Sequence, residues 1–194
     1  MTKPLLQTLV IGLAAALTIA LSSCASAALA VTDPRSISTV TSDQYLKRSL
    51  QLKYNAQAFE SDNIQVETYN HEVLLTGYTI GFINRYHAVK LATAMDGVTT
   101  VYDYLQVSRK YVTSATSDTL LTGKVKTALF STSDVNSNDV KIVSSNGVVY
   151  ILGIIKKTQL PKILKATRSV EGVKKVVPLL HYKSSATKLN LYSS

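Results

Sequence analysis

One cysteine, no tryptophan, three histidines and only 12 acidic residues in 194 are the scarcities that first narrow this sequence. A lone cysteine excludes an internal disulfide. With His71, His87 and His181 far apart in the chain, no ligand set stands at the spacing of a structural zinc site. There is no glycine-rich phosphate loop, no paired-histidine metal motif and no nucleophile elbow, so no catalytic residue, metal or cofactor is assigned and an enzyme is not expected. What is present is positive charge: 21 Lys and Arg give a formal net charge of +9 in a chain that is 46% hydrophobic. That composition excludes collagen, coiled coil and wholesale disorder. The charge asks for an acidic partner: nucleic acid, an anionic membrane or an acidic protein.

The N-terminus bears on that choice. No charged residue lies between Lys3 and Asp33, and Val10 to Leu21 is almost wholly apolar. That run is shorter than the roughly 20 residues that span a bilayer, and it matches the hydrophobic core of an export signal. Residues 1–23 are therefore expected to be a signal, and export sets nucleic acid aside as a partner. Leu21-Ser22-Ser23-Cys24 resembles the bacterial lipobox, in which the cysteine becomes the acylated first residue of the mature protein. The chain's sole cysteine occupies that place. The other reading is an ordinary signal cleaved after Ala27 or Ala30. Each buried acyl methylene contributes about 0.8 kcal/mol, so two or three chains on Cys24 would hold the protein on a membrane. Residues 24–42, rich in Ala, Ser and Thr and without sustained hydrophobic period, are expected to be a tether.

Beyond the tether the sequence repeats. Ile64, Val66, Asn70, Val73, Leu75 and Gly77 recur 76 positions later as Val140, Ile142, Asn146, Val149, Ile151 and Gly153. Two related domains follow, at 43–110 and 118–183, with a tail at 184–194. Asn146-Gly147 is the dipeptide of a two-residue type I′ hairpin, which places Ile142 opposite Ile151 and Val140 opposite Gly153 on one face of a half-buried sheet. Asn70-His71 takes its place in the first copy, making His71 a turn residue. Leu46, Leu50 and Tyr54, and Leu121, Val125 and Leu129, mark a helix before each hairpin. A second helix follows, over about Ile83 to Met95 and Pro161 to Val170. A last strand then returns parallel to the second through a right-handed crossover. The fold class is α+β, each domain being helix-strand-strand-helix-strand with a three-stranded mixed sheet packed on two helices.

An apolar-alternating hairpin ending in glycine, a helix, then Gly97-Val98 or Gly172-Val173 with Val101 or Val176 three residues on resembles the BON domain, and both copies carry it. Together with the lipobox and a tether containing Thr32-Asp33-Pro34-Arg35-Ser36, the chain is similar to dual-BON outer-membrane lipoproteins. The resemblance implies a non-enzymatic protein facing the periplasm, delivered to the outer membrane because Ala25 and not Asp follows the cysteine. It implies binding of anionic phospholipid through the second domain in support of envelope integrity.

Charge is divided unevenly. The first copy carries seven basic and seven acidic residues; the second carries eleven basic, from Lys124 to Lys183 and including Lys141 and Lys162, against four acidic. Each Lys or Arg held near an anionic surface contributes about 1 kcal/mol before screening. On the first helix of the second copy, Leu120 and Phe130 lie off the core stripe. With Gly123 and Thr127 between them and Lys124 and Lys126 alongside, they would form an apolar face with a basic edge, as in an interfacial helix. The resemblance also places lipid contact on this helix, although Leu120 stands where the family has an aromatic. The alternative for Leu120 and Phe130 is burial against the first domain. The alternative for the basic surface is docking an acidic envelope protein.

Overall fold

The computed structural model describes residues 33–56, 59, 61–108 and 115–183. The expected signal, Cys24 and the tail at 184–194 lie outside them. Among the described residues, no helix is long and apolar enough to cross a membrane.

The first repeat consists of α1 (Ile37–Tyr54), β1 (Asn63–Tyr69), β2 (Glu72–Thr79), α2 (Phe82–Thr93), β3 (Thr100–Asp103) and β4 (Gln106–Val107); the second of α3 (Ala115–Phe130), β5 (Val140–Ser145), β6 (Val148–Ile155), α4 (Leu160–Arg168) and β7 (Lys175–Tyr182). The expected helix-strand-strand-helix-strand order is present twice. One boundary moves: α1 starts inside the stretch expected to be tether. Ser36 caps it by accepting from the Thr39 N–H at 3.1 Å, and Arg35 is pinned by Asp33 and Asp43, so the chain is ordered well before Ser42. Asp43, Leu46, Leu50 and Tyr54 then form the buried stripe of α1.

Both hairpins have the expected register. Val66 faces Leu75, Ile142 faces Ile151 and Val140 faces Gly153, and β6 pairs with β7 in parallel. Asn146 and Gly147 sit at φ 53° and 80°, Asn70 and His71 at 53° and 64°, so both turns are left-handed at both central positions. His71 holds a conformation that suits glycine. His71→Gly keeps the backbone bonds of the turn and is expected to stabilise the fold by about 1 kcal/mol, read as a higher urea midpoint at unchanged slope.

The sheets are buried on both faces, which half-buried strands would not be. On one face of the first sheet Ile64, Val66, Val73 and Leu75 meet Leu50 and Tyr54 of α1 and Ala88 and Ala92 of α2. The second repeats this with Leu121, Val125, Leu129 and Ile163 over Ile142, Val149 and Ile151. The opposite faces meet each other. Tyr69 and Leu74 from the first sheet pack with Val143, Tyr150, Leu152, Val177 and Leu179 from the second in a third core, where the rings of Tyr104 and Tyr150 lie 4.8 Å apart. The molecule is thus a four-layer sandwich, helices–sheet–sheet–helices, and its two helical layers face opposite directions. Around the seam, Lys141 Nζ reaches Glu67 at 2.6 Å, His181 Nε2 lies 2.8 Å from Glu72, and the Tyr69 hydroxyl donates to the Asp139 carbonyl at 3.3 Å.

Candidate functional site

α3 carries the residues expected to matter. Its inward side is fixed by Leu121, Val125 and Leu129 against β5 and β6, which turns the opposite side to solvent. Leu120 is 64% exposed and Phe130 79%, so the sheet-to-sheet seam leaves both uncovered by the first domain. Leu120, Gly123, Lys124 and Thr127, with Thr119, Ala128 and Ser131, line a shallow trough of about 600 Å³ along the outward face. The Thr127 hydroxyl donates to the Gly123 carbonyl at 3.1 Å and the Ser131 hydroxyl to the Thr127 carbonyl at 3.1 Å. Moving that face out of water would therefore leave neither hydroxyl without a partner.

Two of the six expected residues stand apart from this trough. Phe130 ends the helix, exposed but outside the trough lining. Lys126 lines a separate cleft of about 430 Å³ between the domains, beside Lys47, Glu67 and Lys141. Burial opposes the Glu67 charge, but Lys141 and Lys47 outweigh it and hold the carboxyl below its ordinary range. Several expected contributors to the basic surface are engaged: Lys141 at the seam, Lys162 with Asp134 at 2.5 Å and Lys183 with Asp139 at 2.8 Å. Lys124 and Lys126 form no ion pair among the described residues. No cluster of groups able to hold a metal ion occurs among the described residues.

The sequence profile of the BON domain matches residues 42–109 and again 117–184. The chain belongs to the BON-domain family. It is 33% identical over 161 residues to the outer membrane lipoprotein DolP of Haemophilus influenzae, covering 81% of this chain and 83% of that protein. It is 31% identical over 153 residues to the 21 kDa hemolysin of Actinobacillus pleuropneumoniae, covering 77% and 79%. A third relative, osmotically-inducible protein Y of Escherichia coli, is 31% identical over 121 residues, 60% of each chain.

Within each BON domain a carboxylate that sequence reasoning passed over ties the first helix to the hairpin. Asp43 accepts from the Asn70 N–H at 2.6 Å and the His71 N–H at 2.8 Å; Asp118 accepts from those of Asn146 and Gly147 at 2.9 and 3.2 Å. Their recurrence 75 positions apart was the available signal. In the first BON domain Asp43 also holds Arg35, whose guanidinium lies 4.2 Å from the Tyr69 ring centre and 2.7 Å from Asp33. The Arg35 hydrogen bond pulls the Asp33 carboxyl below its ordinary range against partial burial, with Lys141 across the seam adding to the effect.

Proposed function

We propose that this protein is a non-enzymatic lipoprotein of the outer membrane, held by acylated Cys24 and facing the periplasm, whose second BON domain binds anionic phospholipid in support of envelope integrity. The observation that carries the reading is the outward face of α3. Leu120 and Phe130 project from it, its Thr127 and Ser131 hydroxyls are internally bonded, and Lys124 beside them forms no ion pair among the described residues. An interfacial helix needs this combination of apolar projections and adjacent positive charge. The relative named as an outer membrane lipoprotein supports the location.

The test is sedimentation of the chain from Thr32 onward with vesicles of neutral or anionic phospholipid, across a salt series. Binding is expected only with anionic lipid and should weaken as salt rises. Phe130→Ala should reduce it about tenfold by loss of apolar contact, and Lys124→Glu about thirtyfold at low salt. Neither should move the unfolding midpoint, because both side chains are exposed. Equal binding to neutral vesicles would overturn the reading, and binding to neither would return the basic surface to an acidic protein partner.

A further inference from the structure

A second apolar surface lies on the first BON domain, where nothing in the lipid reading uses it. Phe82, Ile83 and Tyr86, at the start of α2, are 76%, 71% and 62% exposed, with Ile80 beside them. They point away from the sheet, since α2 buries Ala88 and Ala92 on its inner side. The second repeat supplies an internal control. Ala88 and Ala92 correspond to the buried Ile163 and Thr167, 75 positions on. At the same offset Phe82, Ile83 and Tyr86 become Lys157, Thr158 and Pro161, all exposed. The fold therefore does not require large apolar side chains at these places, and one copy has three.

The surroundings state the chemistry of what would cover them. Arg85 is paired with Asp103 at 2.9 Å, and Asp62 accepts from the Ile80 N–H at 2.7 Å and from Asn84 at 2.8 Å. Lys90 Nζ lies 5.9 Å from the centre of the Tyr86 ring. Nearby charge is balanced locally, so this face has no electrostatic pull on an anionic membrane, unlike the second domain. Orientation narrows the occupant further, and this step rests on the lipid reading. The two helical layers face opposite ways, so a molecule lying on a bilayer through α3 presents α2 to the aqueous side. Two copies on one membrane would point these faces in the same direction and could not join them.

We infer that Phe82, Ile83 and Tyr86 form a docking surface for a second envelope protein that offers an uncharged apolar face, bound on the side of the molecule away from the membrane. Three readings test this. The chain contains no tryptophan, so Phe82→Trp and Phe130→Trp each install a single fluorescent reporter in the chain from Thr32 onward. On vesicles of anionic phospholipid, the Phe130→Trp emission should shift to the blue and the Phe82→Trp emission should not. Analytical ultracentrifugation of the same chain should show a monomer. In cells, a photo-crosslinking residue at position 82 of the full chain should yield one adduct of constant mass. Ile83→Asp should reduce that adduct at least tenfold, and the same crosslinker at position 157 should not form it.

A blue shift of the Phe82→Trp reporter would make the surface a lipid contact and overturn the inference. A dimer dissociated by Ile83→Asp would make it a self-contact and overturn it equally. So would absence of the adduct, or its equal formation from position 157. Failure of the Phe130→Trp reporter alone removes the lipid reading and leaves the ultracentrifugation and the crosslinks from positions 82 and 157 to decide the surface.

Discussion

Asp43→Ala is expected to lower stability by about 3–5 kcal/mol, the range for removing one member of a buried charged network. The side chain is nearly inaccessible, and its two oxygens serve three donors: the N–H groups of Asn70 and His71 and the Arg35 guanidinium, the last at 2.5 Å. Alanine leaves all three without that acceptor, at a turn already strained by a left-handed histidine. Asp43→Asn keeps one acceptor and should restore roughly half of the loss. The matched change in the second BON domain, Asp118→Ala, should cost about 1–2 kcal/mol, because Asp118 is only half-buried and makes a longer bond to Gly147. Urea unfolding of the three variants provides the comparison. An independent sign is limited trypsin cleavage after Arg35, which should appear in Asp43→Ala under native conditions. Equal losses at the two aspartates would show that the Arg35 contact adds nothing.

Local pattern made most of this fold legible before any coordinates. Alternation around Asn146-Gly147 dictates register, and the spacing of Leu46, Leu50 and Tyr54 dictates a helical face; both depend only on neighbours in sequence. The packing of one sheet on the other depends on residues far apart in the chain, such as Tyr69 with Asp139 and Tyr104 with Tyr150. Period-2 reasoning assigns one buried face to a strand and says nothing of the other. A clue was present in β6, whose run Val-Val-Tyr-Ile-Leu-Gly-Ile-Ile is apolar on both faces, as a strand covered on both sides requires. Lys141 shows the same limit within a charge count: it is one of eleven positive residues in the second repeat, yet its Nζ is held by Glu67 and the Thr68 carbonyl of the first. For the candidate site, helical geometry separated Leu120 and Phe130 from the core stripe. It could not show that Lys126 turns into the cleft between domains, because that depends on where the other domain sits.

Gly77→Ala is expected to destabilise the protein by about 3 kcal/mol or more, and the reason lies in an asymmetry between the repeats. Gly77 and Gly153 are equivalent, each where the second strand passes the start of the first. A Cβ on Gly77 would stand 1.9 Å from the Asn63 carbonyl oxygen, and one on Gly153 would stand 2.5 Å from that of Asp139. Both atoms are backbone and cannot swing aside. Only Gly77 also sits at positive φ, 99°, which alanine adopts only with strain. The same kink accounts for the broken third strand of the first domain. Beside Gly77 the ladder lapses between Asp103 and Gln106, and the Leu105 N–H bonds to Asp103 Oδ1, whereas β7 runs unbroken past Gly153. Gly153→Ala, with overlap but no left-handed backbone, should cost about 1–2 kcal/mol. Paired unfolding curves decide between overlap alone and overlap with strain. If Gly153→Ala proves as damaging as Gly77→Ala, the backbone conformation contributes nothing and the interrupted strand needs another cause.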